Sequence, residues 1–202
     1  MTLTQERPAA LGYEAARRAM IDSQLRTSGV NEPWVLAAMA RVAREDFVPE
    51  ASRAAAYVDR AVALGGGRFL AAPLVHGKML SEAAPRSSDT ALLISSGSGY
   101  LEALLRPLAG RLDVIAAGDA AAAKRKRGGY TLIVIDGAIE ALPESLAAQL
   151  ADDGRLVTGL VERGITRLAV GRKTAGEIAM LPLAELGIPV LAEFAAAKSW
   201  SF

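Results

Sequence analysis

The residues best placed to do chemistry in this chain are two aspartates and a glycine-rich turn, each following an apolar run. Ser95-Ser96-Gly97-Ser98-Gly99 comes directly after Ala91-Leu92-Leu93-Ile94, and Asp136-Gly137 directly after Thr131-Leu132-Ile133-Val134-Ile135. Asp119 follows a further strand candidate, 112–116. Small residues at a strand exit let backbone N–H groups come close to a ligand, because no Cβ stands in the way. Carboxylates at neighbouring strand exits accept hydrogen bonds from sugar hydroxyls or a base amino group. In an open parallel sheet such groups converge beyond the carboxyl ends of the strands, so the pattern suits a nucleoside-bearing ligand. Two plainer roles stay open: a G-x-G turn also serves tight strand–helix packing, and either aspartate could be a turn residue or helix cap.

Composition narrows what else this set can do. The 202 residues hold no cysteine, which excludes disulfides, Cys-zinc sites, iron–sulfur clusters and thiol nucleophiles. His76 is the only histidine, so no His-based metal centre is expected, and no metal site of any kind. It falls in a helical stretch beside Lys78 and reads as a partly exposed structural residue. Chemistry must therefore use carboxylates, hydroxyls, backbone groups or a bound cofactor. A formal net charge of +1 argues against duplex DNA or an anionic membrane as partner. With 51% hydrophobic and 22% charged residues the chain is expected to fold into a globular unit. The basic run Lys124-Arg125-Lys126-Arg127 reads as a solvated loop opposite Glu102 or Asp152-Asp153. Gly65-Gly66-Gly67 reads either as a backbone nest for an anion or as a plain flexible connection. The start lacks a secretory pattern and no stretch is long and apolar enough to span a bilayer, so a cytoplasmic protein is expected.

Periodicity then supplies the elements that must hold these groups. Helices are expected over 13–26, with Met20, Ile21 and Leu25 on one face, and after an Asn31 N-cap, with Val35, Met39 and Val42 buried. A short helix is expected at 50–57, a loop carrying the triple glycine, and a helix over 73–84. From residue 91 the pattern changes to alternating strand and helix. Strands are expected at 91–94, 112–116, 131–135 and 155–160, with a leucine stripe from Leu101 to Leu108 and a helix over 143–150 between them. Residues 165–171 and 177–183 read as a hairpin, and the last ten residues as extended. The fold class is α/β: one compact unit, with 1–85 as helical N-terminal extension and substrate-loop region, and 86–202 as the sheet-bearing core.

Several segments resemble the protein-L-isoaspartate O-methyltransferases in order and spacing. They are Arg17-Arg18-Ala19-Met20-Ile21-Asp22-Ser23-Gln24-Leu25-Arg26, Val42-Ala43-Arg44-Glu45-Asp46-Phe47-Val48-Pro49-Glu50 and Ala56-Tyr57-Val58-Asp59-Arg60. Ser88-Asp89 through Tyr100 resembles that family's first S-adenosylmethionine motif, and Gly118-Asp119, Tyr130-Thr131-Leu132-Ile133-Val134 and Gly154-Arg155-Leu156-Val157 continue the likeness. The resemblance implies a Rossmann-like, mostly parallel methyltransferase sheet with a C-terminal antiparallel hairpin. It implies methyl transfer from S-adenosylmethionine to the carboxylate of an isoaspartyl protein or peptide, with repair through a succinimide. Gly97 and Gly99 would approach the cofactor's amino-acid portion, Ser95, Ser96 and Ser98 would complete that turn, and Asp119 would face the adenine amino group.

The chain also departs from the family pattern. Where the family's substrate loop carries a Thr-Ile-Ser-Gln-Pro type segment, this chain has Phe69-Leu70-Ala71-Ala72-Pro73, so Ala71 and Ala72 present no hydroxyl or amide and no catalytic side chain is assigned. Leu93 and Ser95 stand where the first cofactor motif has an acid and a glycine, which removes a charge that would order the turn. The stretch from Tyr100 to Gly129 is short, giving a reduced middle. If 112–119 is the strand next to the glycine turn, Ala117 replaces the acid that grips the ribose; if it is a later strand, a whole segment is missing. Two alternatives to isoaspartyl methyl transfer therefore stand beside it: a non-catalytic binding protein, or a methyltransferase with another substrate.

Overall fold

The computed structural model describes residues 6–122 and 128–196, with side chains from residue 12 onward. The basic run at 124–127 and the final Trp200-Ser201-Phe202 lie outside the described residues.

The four expected strands become adjacent strands, one of them (β4) at the edge, of a six-stranded sheet of order β4-β3-β5-β6-β7-β8. Its strands are β3 (Thr90–Ser95), β4 (Arg111–Ala116), β5 (Tyr130–Ile139), β6 (Leu150–Glu162), β7 (Ile165–Thr174) and β8 (Glu177–Glu185). The first four pair in parallel, and β6 to β8 pair antiparallel as the expected hairpin does. From β3 the chain pairs first to one side, as β4, and then to the other, as β5. The strand order thus reverses at β3, and a crevice opens there. A separate two-stranded ribbon, β1 (Val62–Gly65) and β2 (Arg68–Leu70), forms where a loop is expected around the triple glycine. Gly65, Gly66 and Gly67 all hold positive φ, which lets so short a connection reverse the chain.

One face of the sheet is covered by α3 (Pro73–Ala83), α4 (Tyr100–Leu105) and the N-terminal helices α1 (Glu6–Met20) and α2 (Pro33–Arg41). Leu93, Val134, Val75, Met79 and Leu101 meet in this larger core, and Trp34 packs at its edge as a partly buried residue. Among the described residues the opposite face has only the short helices α5 (Ala117–Ala121) and α6 (Glu144–Ala147). Leu191 and Phe194 complete it, packed with Ile94, Ala120 and Ile135.

Several element boundaries differ from expectation for local reasons. The first helix continues past Met20 through a π-turn, Ile21–Leu25, and a 3-10 turn, Arg26–Ser28, until Gly29 at φ 79° ends it. Glu32, not Asn31, is the N-cap residue of α2, and the segment after Pro49 is a 3-10 helix, Glu50–Ala55. The helix expected over 143–150 shortens to one turn because β6 starts at Leu150. Between Leu150 and Arg155 the β6 backbone bulges against only two steps of β5, with Asp153 at φ 61°. Ala192–Phe194 forms a 3-10 turn where extended chain is expected. Among the described residues no helix is long and apolar enough to cross a membrane, and no cluster of potential metal ligands occurs.

Candidate active site

The crevice at the end of β3 is built on one buried carboxylate. Asp136 occupies the β5 position next to Ile135, whose partner is Ile94, so its side chain lies beside the exit of β3. Ser96 donates to Asp136 Oδ2 at 2.5 Å, and Ser98 reaches the same oxygen at 3.4 Å. The other oxygen, Oδ1, lies 3.0 Å from His76 Nε2. Arg44 Nη1 is 3.2 Å from His76 Nδ1, and a guanidinium has only donors. Nδ1 must therefore accept, which makes Nε2 the protonated nitrogen and Asp136 its acceptor. Arg44, His76 and Asp136 form a relay in which a neutral ring separates a buried cation from a buried anion.

Ionisation agrees with that geometry. Burial lowers the His76 pKa, with the Arg44 charge adding to it, against the pull of Asp136; the ring is neutral. Burial alone would raise Asp136, but hydrogen bonds from His76 and Ser96 outweigh it and hold the carboxyl below its usual value. His76 is fully buried, not partly exposed as its sequence setting suggests.

The serines of the turn brace its backbone. Ser95 Oγ accepts from Gly97 N at 3.0 Å and Ser98 Oγ from Tyr100 N at 3.3 Å. Each hydroxyl thus bonds an amide two residues on, a local geometry that serine favours. Gly97 at φ 95° and Gly99 at φ 75° need the freedom of glycine. A Cβ on Gly97 would meet nothing nearer than Arg68 Cδ at 4.0 Å, whereas one on Gly99 would touch the Phe47 ring at 3.6 Å. The exposed backbone at Gly97 is therefore open to a ligand, while Gly99 is glycine partly because Phe47 packs over it. That opening, braced at the strand-order reversal, fits the amino-acid end of S-adenosylmethionine.

The other expected site residues are distributed differently. Asp119 stands on the exposed side of α5, three residues beyond Ala116, which pairs with Ser95. Because β4 lies directly beside β3, the residues at its exit are Ala116 and Ala117, and no carboxylate occupies that strand end. Ala71 and Ala72 are buried, and their carbonyls are committed: Ala71 O accepts from Arg44 Nη2, and Ala72 O from Val75 N at 3.0 Å. A cavity of about 190 Å³ lies beside the turn, lined by Gly67, Arg68 and Phe69 from the ribbon, Ser96, and Leu191 and Glu193 from the C-terminal segment.

Residue-by-residue reading assigns no role to Arg44, Glu45 or Tyr57, yet Arg44 holds the carbonyl of Ala71 and donates its own backbone N–H to the Tyr57 hydroxyl, which in turn donates to Glu45. Arg44 donates through Nε to Ala56 O at 2.6 Å, and its guanidinium carbon lies 4.9 Å from the Tyr100 ring centre. Tyr57 also accepts from Arg17 Nε at 2.7 Å; burial and the neighbouring carboxylate push the phenol to about 12. Their only sequence signal is their place in the matched segments around 44–50 and 56–60.

The family model described as protein-L-isoaspartate(D-aspartate) O-methyltransferase matches residues 15–117, about half of the chain. The chain belongs to this family. It is 33% identical over 187 residues to protein-L-isoaspartate O-methyltransferase 2 of Anaeromyxobacter sp. (strain Fw109-5), covering 80% of this chain and 77% of that protein. It is 34% identical over 172 residues to protein-L-isoaspartate O-methyltransferase 1 of Rhodopseudomonas palustris (strain HaA2), covering 73% of this chain and 70% of that one. The fold is similar to that of a Plasmodium falciparum protein-L-isoaspartate O-methyltransferase solved with S-adenosyl-L-homocysteine, at a TM-score of 0.68 and 18% identity, covering 90% of this chain and 98% of that one. The match covers the turn of residues 95–99 and all of β4, the strand beside it that ends without an acid.

Proposed function

We propose that this protein transfers the methyl group of S-adenosylmethionine to the carboxylate of an isoaspartyl residue in a damaged protein or peptide. The observation that carries the reading is the turn of residues 95–99, braced by Asp136 at the strand-order reversal and open at Gly97, in a chain of this family. The cofactor supplies an electrophilic sulfonium methyl. Gly97 and Gly99 hold its amino-acid portion, Ser95, Ser96 and Ser98 keep the turn in shape, and Asp119 serves the adenine end. The acceptor carboxylate is already ionised near neutral pH, so displacement needs no general base. What the chain must do is align the two groups and exclude water. A buried, neutral His76 is consistent with that, because its one N–H is held by Asp136 and its other nitrogen accepts from Arg44, so neither nitrogen is free to exchange a proton with a substrate. The non-catalytic alternative is not favoured, since the relatives above are named as methyltransferases.

The test is transfer of labelled methyl from S-adenosylmethionine to a synthetic peptide carrying one isoaspartyl residue, against the same peptide with aspartate. Base-labile methyl on the isoaspartyl peptide alone is expected. Equal labelling of both peptides, or of neither, would refute the assignment.

A further inference from the structure

The crevice already holds a carboxylate. Glu193 Oε1 lies 2.6 Å from Arg68 Nη2, and Arg68 Nη1 reaches the carbonyl of Ser96 at 3.4 Å. The guanidinium therefore sits at the mouth of the cavity, against the turn assigned to the cofactor. Among the described residues lining that cavity, Arg68 is the only cation and Glu193 the only anion.

Glu193 is delivered there by a strap anchored on both sides. Ala138 N donates to Pro189 O at 2.8 Å and Leu191 N to Ala138 O at 2.9 Å, adding residues 189–191 beside the end of β5. Beyond Glu193, Phe194 is buried and its carbonyl accepts from Glu140 N at 3.2 Å. The two pairing side chains remain 36% and 27% exposed, and pairs of that kind contribute little to stability. A contact spanning 125 residues and aimed into the crevice is better explained by the ligands it resembles. Both ligands of the proposed reaction carry a carboxylate. Replacing the Glu193 carboxylate by a ligand's keeps the charge balance at Arg68 and buries no new unpaired ion.

Resting on the methyltransferase reading, we propose that Arg68 is the carboxylate receptor of the crevice and that Glu193 is its internal occupant, displaced when ligand enters. The carboxylate received is that of the isoaspartyl acceptor or that of the cofactor's amino-acid end. Arg68 belongs to β2, which runs directly into Phe69-Leu70-Ala71-Ala72-Pro73. It would thus supply the polar contact that Ala71 and Ala72 lack.

The experiment is calorimetric titration of the full chain with an isoaspartyl peptide and, separately, with S-adenosyl-L-homocysteine. Wild type is compared with Glu193→Gln, Arg68→Gln and Arg68→Lys, each checked by thermal melting. Removing the competing Glu193 charge is expected to tighten one of the two ligands by up to about fivefold, the equivalent of ~1 kcal/mol for an exposed pair. Arg68→Gln is expected to weaken the same ligand about tenfold, with partial recovery in Arg68→Lys. Which ligand responds identifies the source of the carboxylate. A purely structural strap would not make Glu193→Gln bind tighter. Unchanged or weaker binding of both ligands in Glu193→Gln overturns the inference, as does absence of binding by every variant. If the peptide responds as expected but is never methylated, the proposed function fails and the receptor assignment stands.

Discussion

His76 makes an unusually clean probe of the buried relay, because it is the only histidine in the chain. Its ring is fully buried, with Arg44 donating to Nδ1 at 3.2 Å and Asp136 accepting from Nε2 at 3.0 Å. Protonating Nδ1 would set two donors against each other and add a second buried cation beside Arg44. The folded pKa is accordingly lowered below the ordinary value of 6.5. The sign of the linkage follows. In the unfolded chain the ring takes up a proton as pH falls below about 6.5, while in the folded protein it resists, so stability is present above that pH and lost below it. For a ring that stays neutral when folded, the loss between about pH 7.5 and pH 5.5 is ~1.4 kcal/mol. Carboxylates with lowered pKa, such as Asp89 and Asp136, lose their contribution only at more acid pH, so this window isolates His76. Urea unfolding at both pH values should show that loss in wild type. His76→Gln should be less stable at pH 7.5 but much flatter across the window. The α-amino group titrates alike in both proteins and cancels. Parallel pH dependence in the two proteins would refute the buried neutral ring.

Two further outcomes follow from the same geometry. Asp136→Asn removes the anion that faces Arg44 through the ring, and breaking a buried pair in this way should cost ~3–5 kcal/mol in urea unfolding at neutral pH; a loss below about 1 kcal/mol would count against the relay. Gly137→Ala would place a Cβ 2.5 Å from Leu191 Cγ, so the strap must shift at a cost of ~1–3 kcal/mol, and limited proteolysis near residue 190 should accelerate; an unchanged cleavage rate would show that the strap is not held there.

The fold was legible where burial writes itself into composition. Ala91-Leu92-Leu93-Ile94 and Thr131-Leu132-Ile133-Val134-Ile135 are apolar on both faces because both lie inside the sheet, and such runs read as strands without alternation. The β1–β2 ribbon was not legible: Arg68 and Phe69 carry no strand signature, and the pairing depends on three glycines whose φ sequence alone does not reveal. The path of the strap was equally hidden. Leu191 and Phe194 are ordinary apolar residues, and only the sparse helices on that face of the sheet explain why they are buried. In the site itself, the glycine turn and Asp136 were visible as chemistry at strand exits, but not the bond between them.

That bond changes the meaning of the most conspicuous departure from the family pattern. The family resemblance implies an acid at the position of Leu93, and the loss of that charge should leave the turn unbraced. In the sheet, Leu93 is paired with Val134, and side chains alternate along a strand, so Asp136 points to the same face one strand away. Leu93 and Val134 share the core on that face, where α3 also brings His76 against Asp136. The turn has its carboxylate after all: it hangs from β5 and bonds Ser96 and Ser98 directly. Among the described residues no neighbouring strand exit is shown to replace the missing acid at the end of β4, and Asp119 lies three residues further on, on the exposed side of α5. The two departures are therefore not equivalent. Register across the sheet, and not distance along the chain, decides which lost charge a neighbour restores.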